Sequence, residues 1–309
     1  MTEIATATLL RDSDLLPADP APAAAPAREP AVRGGRLPRW LRFGLTRPGL
    51  IISVAFLALV LTACFAPNLL ASGNPLTGRP ADHLRAPDLV HLFGTDHLGR
   101  DVFTRVVHGT ALSLRSALVA VTIALVVGGL LGLVAGTLGR WIDEAIMRFV
   151  DVLLAIPALL LSLALVTALG YGTVNVAIAV AIGSVATFAR VARSETLRVS
   201  RAAYVEAARS AGSRPWTTLW RHILPNAIGP ILALAVLEFG VAILAVASLS
   251  FLGYGAPPPT PEWGAMVAEG RNYLATSWWL TTLPGLTVAA TVLAVNRVSR
   301  ALDGEWRRA

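Results

Sequence analysis

From Leu50 onward the chain alternates long apolar runs with polar connections. Six runs approach the roughly 20 residues a helix needs to cross hydrocarbon. They are Leu50–Phe65, Leu118–Leu138, Val150–Leu169, Val174–Ala189, Ala227–Leu249 and Leu280–Asn296. The pattern predicts an all-α protein with six transmembrane helices. Only Gly170-Tyr171-Gly172 separates the third and fourth runs, a turn suited to an antiparallel helical pair. Residues 1–46 show no apolar periodicity and carry Pro17, Pro20, Pro22, Pro26 and Pro30. They read as a disordered tail.

Composition agrees: of 309 residues 55% are hydrophobic and 15% charged, a profile of polytopic membrane proteins. The net charge of +7 would suit nucleic acid in a soluble domain. Here the basic residues flank apolar runs, no compact basic domain remains, and nucleic acid is not expected as a partner. Arg33, Arg36, Arg39, Arg42 and Arg47 precede the first run, and Arg297, Arg300, Arg307 and Arg308 follow the last. Arginines therefore place both termini in the cytoplasm, with an external loop over residues 66–117, a cytoplasmic loop over 190–226, a permeation domain over 47–303 and a cytoplasmic tail over 304–309.

All 26 basic residues are arginine. A phosphate-binding P-loop needs a lysine, so the chain is not expected to hydrolyse ATP itself. The single cysteine, Cys64, excludes an internal disulfide. Leu61-Thr62-Ala63-Cys64 is similar to a lipoprotein cleavage box, but the long preceding tail and the five later spans favour a retained span. His83, His91, His97 and His108 share the external loop with several aspartates in no tight metal spacing, so no metal site is assigned. No catalytic constellation stands out.

The cytoplasmic loop is the unusual stretch. Between Glu206 and Asn226 it holds three arginines, two prolines and two tryptophans. Tyr204 to Ala211 predicts a helix, ended by Gly212 in a left-handed conformation. Ser213 is placed to cap a second helix with Pro215 in its first turn. Trp216, Leu219, Trp220 and Ile223 recur at helical spacing, and Pro225 stops the run before the next span. The expectation is two short helices at a sharp corner, one face aromatic and one arginine-rich. Taken alone, this also suits an amphipathic hairpin on the lipid surface.

Glu206-Ala207-Ala208, then Gly212, then Arg221-His222-Ile223-Leu224-Pro225-Asn226, resembles the EAA loop of ABC-importer permeases. Gly94-Thr95-Asp96-His97-Leu98-Gly99-Arg100-Asp101-Val102-Phe103 resembles a signature of the C-type dipeptide/oligopeptide branch. So does Leu249-Ser250-Phe251-Leu252-Gly253 with Pro257 to Met266. The chain departs from that branch at His222, where the general EAA pattern has isoleucine, and at Ala245 and Val246, where an acidic residue is common. The resemblance implies a type I, MetI-like permease subunit of a bacterial cell membrane importer. Its partners would be two cytoplasmic ABC ATPases carrying ATP and Mg²⁺, a second, B-type permease, and an extracytoplasmic substrate-binding protein. The loop residues Tyr204, Glu206, Ala207, Ala208, Gly212, Trp216, Arg221, His222, Leu224 and Pro225 would then couple to the ATPase. Gly94, Asp96, Gly99, Arg100 and Asp101 carry the external signature, Arg100 and Asp101 fixing a short helix by local pairing. Glu238, inside the fifth run, reads either as a pathway group meeting a peptide amine or as a carboxyl supporting helix packing. The competing class is a self-contained secondary transporter or channel, which more often shows inverted repeats.

Overall fold

The computed structural model describes residues 48–306; the tail read at 1–46 and the chain beyond Trp306 lie outside them. The helices are α1 (Pro48–Phe65), α2 (Val102–Leu138), α3 (Arg140–Ala155), α4 (Ala158–Leu169), α5 (Thr173–Ser200), α6 (Ala203–Ser210), α7 (Pro215–Thr218), α8 (Leu224–Phe251), α9 (Trp263–Gly270) and α10 (Trp279–Trp306). A π turn, Leu219–Ile223, joins α7 to α8. Among the described residues there is no strand, only an isolated bridge between Thr95 and Asp101.

Five helices are long and apolar enough to cross a membrane, and a bent pair brings the total to six. That pair corrects the expectation of one straight span over Val150–Leu169. Helices α3 and α4 meet at 92° around Ile156-Pro157. Proline disfavours the α region for its predecessor, and Ile156 is extended, at φ −98° and ψ 129°. Before the break, α3 is polar on one side. Its Asp143 and Asp151 accept from Arg193 and Arg190 of α5, with Arg193 Nη2 at 2.6 Å and Arg190 Nη2 at 2.6 Å. After it, α4 is apolar but reaches only about 18 Å.

The second predicted span also differs. Helix α2 begins at Val102, so the segment read as a loop to residue 117 is a loop only to Asp101. The Asp101 side chain accepts from the Thr104 N–H at 2.7 Å and caps the helix. The early turns escaped the hydropathy pattern because they carry Arg105, Thr110 and Ser113, all buried by neighbouring elements.

The core forms where α2 lies along α5, with α8 and α10 packed against them. Gly128, Gly132 and Gly136 recur at i, i+4 on α2 and let the two backbones approach closely. A Cβ at Gly128 would lie 2.7 Å from Phe188 Cβ, at Gly132 2.6 Å from Ala192 Cβ, and at Gly136 2.7 Å from Thr196 Cβ. Gly129 points elsewhere, with nothing within 4 Å of an added Cβ. Gly132→Leu should therefore destabilise the fold by about 1–3 kcal/mol, while Gly129→Leu stays near wild type. Thermal unfolding of detergent-purified protein, followed by size-exclusion, reads both.

Candidate functional site

Helix α5 continues past its apolar stretch to Ser200 and presents Arg190, Arg193 and Arg198. The chain then folds into the compact α6–α7 corner. Gly212 has φ +82°, a left-handed conformation that side chains resist. Its N–H reaches Arg209 O at 3.0 Å and the Ser213 N–H reaches Ala208 O at 3.1 Å, closing the end of α6. Nothing lies within 4 Å of an added Cβ at Gly212, so backbone conformation rather than space demands glycine there.

Two details of the predicted corner change. Arg214, not Ser213, is the residue at the N-cap of α7, and Ser213 Oγ instead accepts from Thr218 Oγ1 at 3.3 Å. Pro225 does not stop the run. The Leu224 N–H bonds to Leu219 O across the π turn, and Pro225 falls in the first turn of α8, where a missing N–H costs little.

The four residues at helical spacing divide between two faces. Leu219 and Ile223 point inward and pack with Val199, Val205 and Ala227. Trp216 and Trp220 point outward, 68% and 52% exposed, with rings edge-to-face at 5.7 Å. Residues four apart stack on one helical face, so each pair owns its own side. Arg209, Arg214, Arg221, Tyr204, Ala207 and Pro225 are exposed, while Ala208, His222 and Leu224 are half-buried. Glu206 is exposed and in no ion pair among the described residues.

At the opposite end of α2 lies a buried charge cluster. Arg105, 1% exposed, donates to Asp96 at 2.5 Å and reaches Glu269 of α9 at 3.1 Å. Arg100 donates to Asp96 at 2.7 Å and lies 3.5 Å from Glu269. The expected local pairing of Arg100 with Asp101 is thus replaced. Asp101 caps α2 and lies 3.0 Å from His91 Nδ1, because Arg100 turns inward to the other acids. Burial pushes the Asp96 carboxyl upward, but the Arg100 and Leu98 N–H groups and the Arg105 and Arg100 guanidiniums outweigh it. The carboxyl is held below its usual range. Gly94 and Gly99, both at positive φ, turn the chain so that Asp96 faces these partners. His97 stacks on Tyr273 at 5.6 Å. Beside the cluster, buried Glu262 accepts from the Gly264 and Ala265 N–H groups at the start of α9 and from Ser113 of α2.

Glu238 sits midway along α8, half-buried, and accepts from Ser184 Oγ of α5 at 3.1 Å.

Residues 128–308 match the family model of the binding-protein-dependent transport system inner membrane component. The chain belongs to this family. It is 42% identical over 254 residues to a dipeptide transport system permease protein of Alkalihalophilus pseudofirmus, covering 82% of each chain. A glutathione transport system permease protein of Pectobacterium atrosepticum is 39% identical over 270 residues, covering 87% of this chain and 89% of the relative. Among solved structures, an amino acid ABC transporter chain aligns at TM-score 0.53 and 19% identity over 66% of this chain and 94% of that one. A chain of the methionine ABC transporter aligns at TM-score 0.50 and 17% identity over 64% and 95%. These two share the fold.

The protein is therefore a membrane-spanning permease subunit and not an enzyme. As a component of a binding-protein-dependent system it works with an ATPase and a substrate-binding protein. Sequence reasoning missed Arg105, Glu262 and Glu269 in this permease. Glu262 had a readable signal, an acid directly before a helix start. Glu269 lies 169 positions from Arg100 and had none.

Asp96→Asn leaves two buried guanidiniums short of a counter-charge and should cost about 3–5 kcal/mol. A depressed folded pKa adds stability that is complete above the unfolded carboxylate range, near pH 4, and is lost as pH falls through the folded value. Wild-type unfolding temperature should drop more steeply below about pH 4 than that of Asp96→Asn. Thermal scans of both proteins across pH 3–7 decide this.

Proposed function

We propose that this permease serves an ATP-driven importer of di- or oligopeptides or related small solutes and forms half of the translocation pathway. The reading is supported by relatives named for dipeptide and glutathione transport. The other half is a related, B-type permease, and each permease engages one of two cytoplasmic ATPases, on which ATP and Mg²⁺ are bound. Both termini and the α6–α7 corner face the cytoplasm. The substrate-binding protein delivers cargo on the opposite side, where residues 66–101 and the Asp96 cluster lie.

The observation that carries the coupling role is the α6–α7 corner. It offers outward tryptophans, exposed arginines and an exposed Glu206, yet is fastened from behind by Val205, Leu219 and Ile223. Such a surface suits charge-assisted hydrogen bonds and aromatic contacts with a protein groove. From Pro215 to Phe251 the chain is one continuous helical body, with a π turn and Pro230 inside it, and movement at the corner is passed along it to Glu238 and its neighbours. ATP binding and hydrolysis would close and reopen the ATPase pair and thereby switch the helices between outward- and inward-facing arrangements. Glu238, beside Ser184, is the pathway group that meets the peptide amine.

Mild-detergent pull-down from the native membrane should recover an ATPase, a second six-span chain and a binding protein. Recovery of the chain alone, where a known ABC complex survives, would favour a self-contained transporter with a membrane-surface hairpin. In the reconstituted complex Gly212→Val should cut uptake at least tenfold and abolish stimulation of ATP hydrolysis by loaded binding protein, with assembly retained. Normal uptake by Gly212→Val removes the coupling role. Glu238→Gln should lower uptake several-fold while stimulated hydrolysis persists; unchanged uptake of every peptide tested excludes the pathway role.

A further inference from the structure

An open groove of about 740 Å³ runs between α1 and α10. Ile52, Phe56 and Leu293 give it an apolar floor, and Arg297 and Arg300 line one end. Ile52 and Leu293 are 68% and 69% exposed, so the apolar surface is open to the surroundings. Both arginines are exposed and in no ion pair among the described residues. The Arg297 guanidinium lies directly over Gly49 in the first turn of α1; an added Cβ there would sit 2.5 Å from its Cζ. Ser53, between them, is spent on the Gly49 carbonyl at 2.8 Å, so anion recognition falls to the arginines.

We propose that this groove binds an anionic phospholipid, its phosphate on Arg297 and Arg300 and an acyl chain along Ile52, Phe56 and Leu293. Depth supports this occupant. From Trp279, beside exposed Trp278, to Arg297 the helix rises about 27 Å at 1.5 Å per residue, close to one hydrocarbon thickness. Exposed Trp278 at one interface thus sets the arginines at headgroup level on the other. Charge supports it too. Paired guanidiniums match phosphate oxygens, and basic pockets between membrane helices hold anionic headgroups. A zwitterionic lipid has the same chains without the net charge. The groove's size falls within the roughly 300–1,000 Å³ of ligand-holding clefts.

The test is thermal unfolding of the full chain, purified with whatever subunits accompany it, in detergent titrated with phosphatidylglycerol, phosphatidylcholine or inorganic phosphate. Phosphatidylglycerol should raise the unfolding temperature in a saturable way, and the other two should not. Arg297→Gln with Arg300→Gln should weaken the apparent affinity roughly 30-fold. Ile52→Trp, which fills the groove without changing charge, should weaken it as well and serves if the double variant folds poorly. Equal shifts with both lipids, or an unchanged shift in Ile52→Trp, would overturn the proposal. A phosphate response matching that of phosphatidylglycerol would also overturn it, making this a plain anion site. Removal of residues 1–46 should leave the response in place. A response seen only after that removal means that the chain's own N-terminal segment occupies the groove, and the lipid assignment fails.

Discussion

The close approach of α2 to α5 is the contact on which the remaining architecture rests. Hydrocarbon gives helices little reason to associate by burial alone, so association depends on packing and on backbones that can come near. Gly128, Gly132 and Gly136 supply that nearness over about two turns. Once α5 is seated there, its polar extension is directed past α3, where Asp143 and Asp151 take up Arg193 and Arg190. The α6–α7 corner hangs from that extension. Its position relative to the spans is thus set by a helix seam and by the apolar packing of Val205, Leu219 and Ile223 behind it, with the two ion pairs adding less.

The other end of α2 is held by different physics. Arg105 and Arg100 are removed from water and need Asp96 and Glu269 in place. A buried pair of this kind contributes little net stability over an apolar substitute, yet punishes any arrangement that breaks it. It therefore acts on specificity: the loop before α2 and the short α9 before α10 can assemble in one way. Glu262 and Ser113 add a second link between the same elements.

Much of this was readable from residue patterns. The apolar runs announced their helices, Gly212 announced the corner, and the arginines announced the flanks of the spans. What escaped has physical causes. Ile156-Pro157 sits inside an apolar run, and hydropathy is blind to the direction of a chain. The first turns of α2 look like a polar loop because Arg105 and Ser113 reach Glu269 and Glu262, far away in sequence, while Thr110 bonds back to the Val106 carbonyl. Trp216, Leu219, Trp220 and Ile223 share a spacing class, but spacing does not say which pair meets the protein and which faces out. Glu269 belongs to a cluster that only the assembled fold brings together.

The π turn at Leu219–Ile223 has a consequence of angular phase. It places one extra residue in a helical body of about 55 Å, and each residue turns a helix by about 100°. The outward azimuth of Trp216 and Trp220 and the α5-facing azimuth of Glu238 are related through that extra residue. Without it, a helix of the same composition would carry its acid about a quarter-turn away from Ser184 whenever its tryptophans faced out. The turn works as a phase shifter between the two ends of one continuous helix, and an insertion or deletion beside it acts on both ends at once.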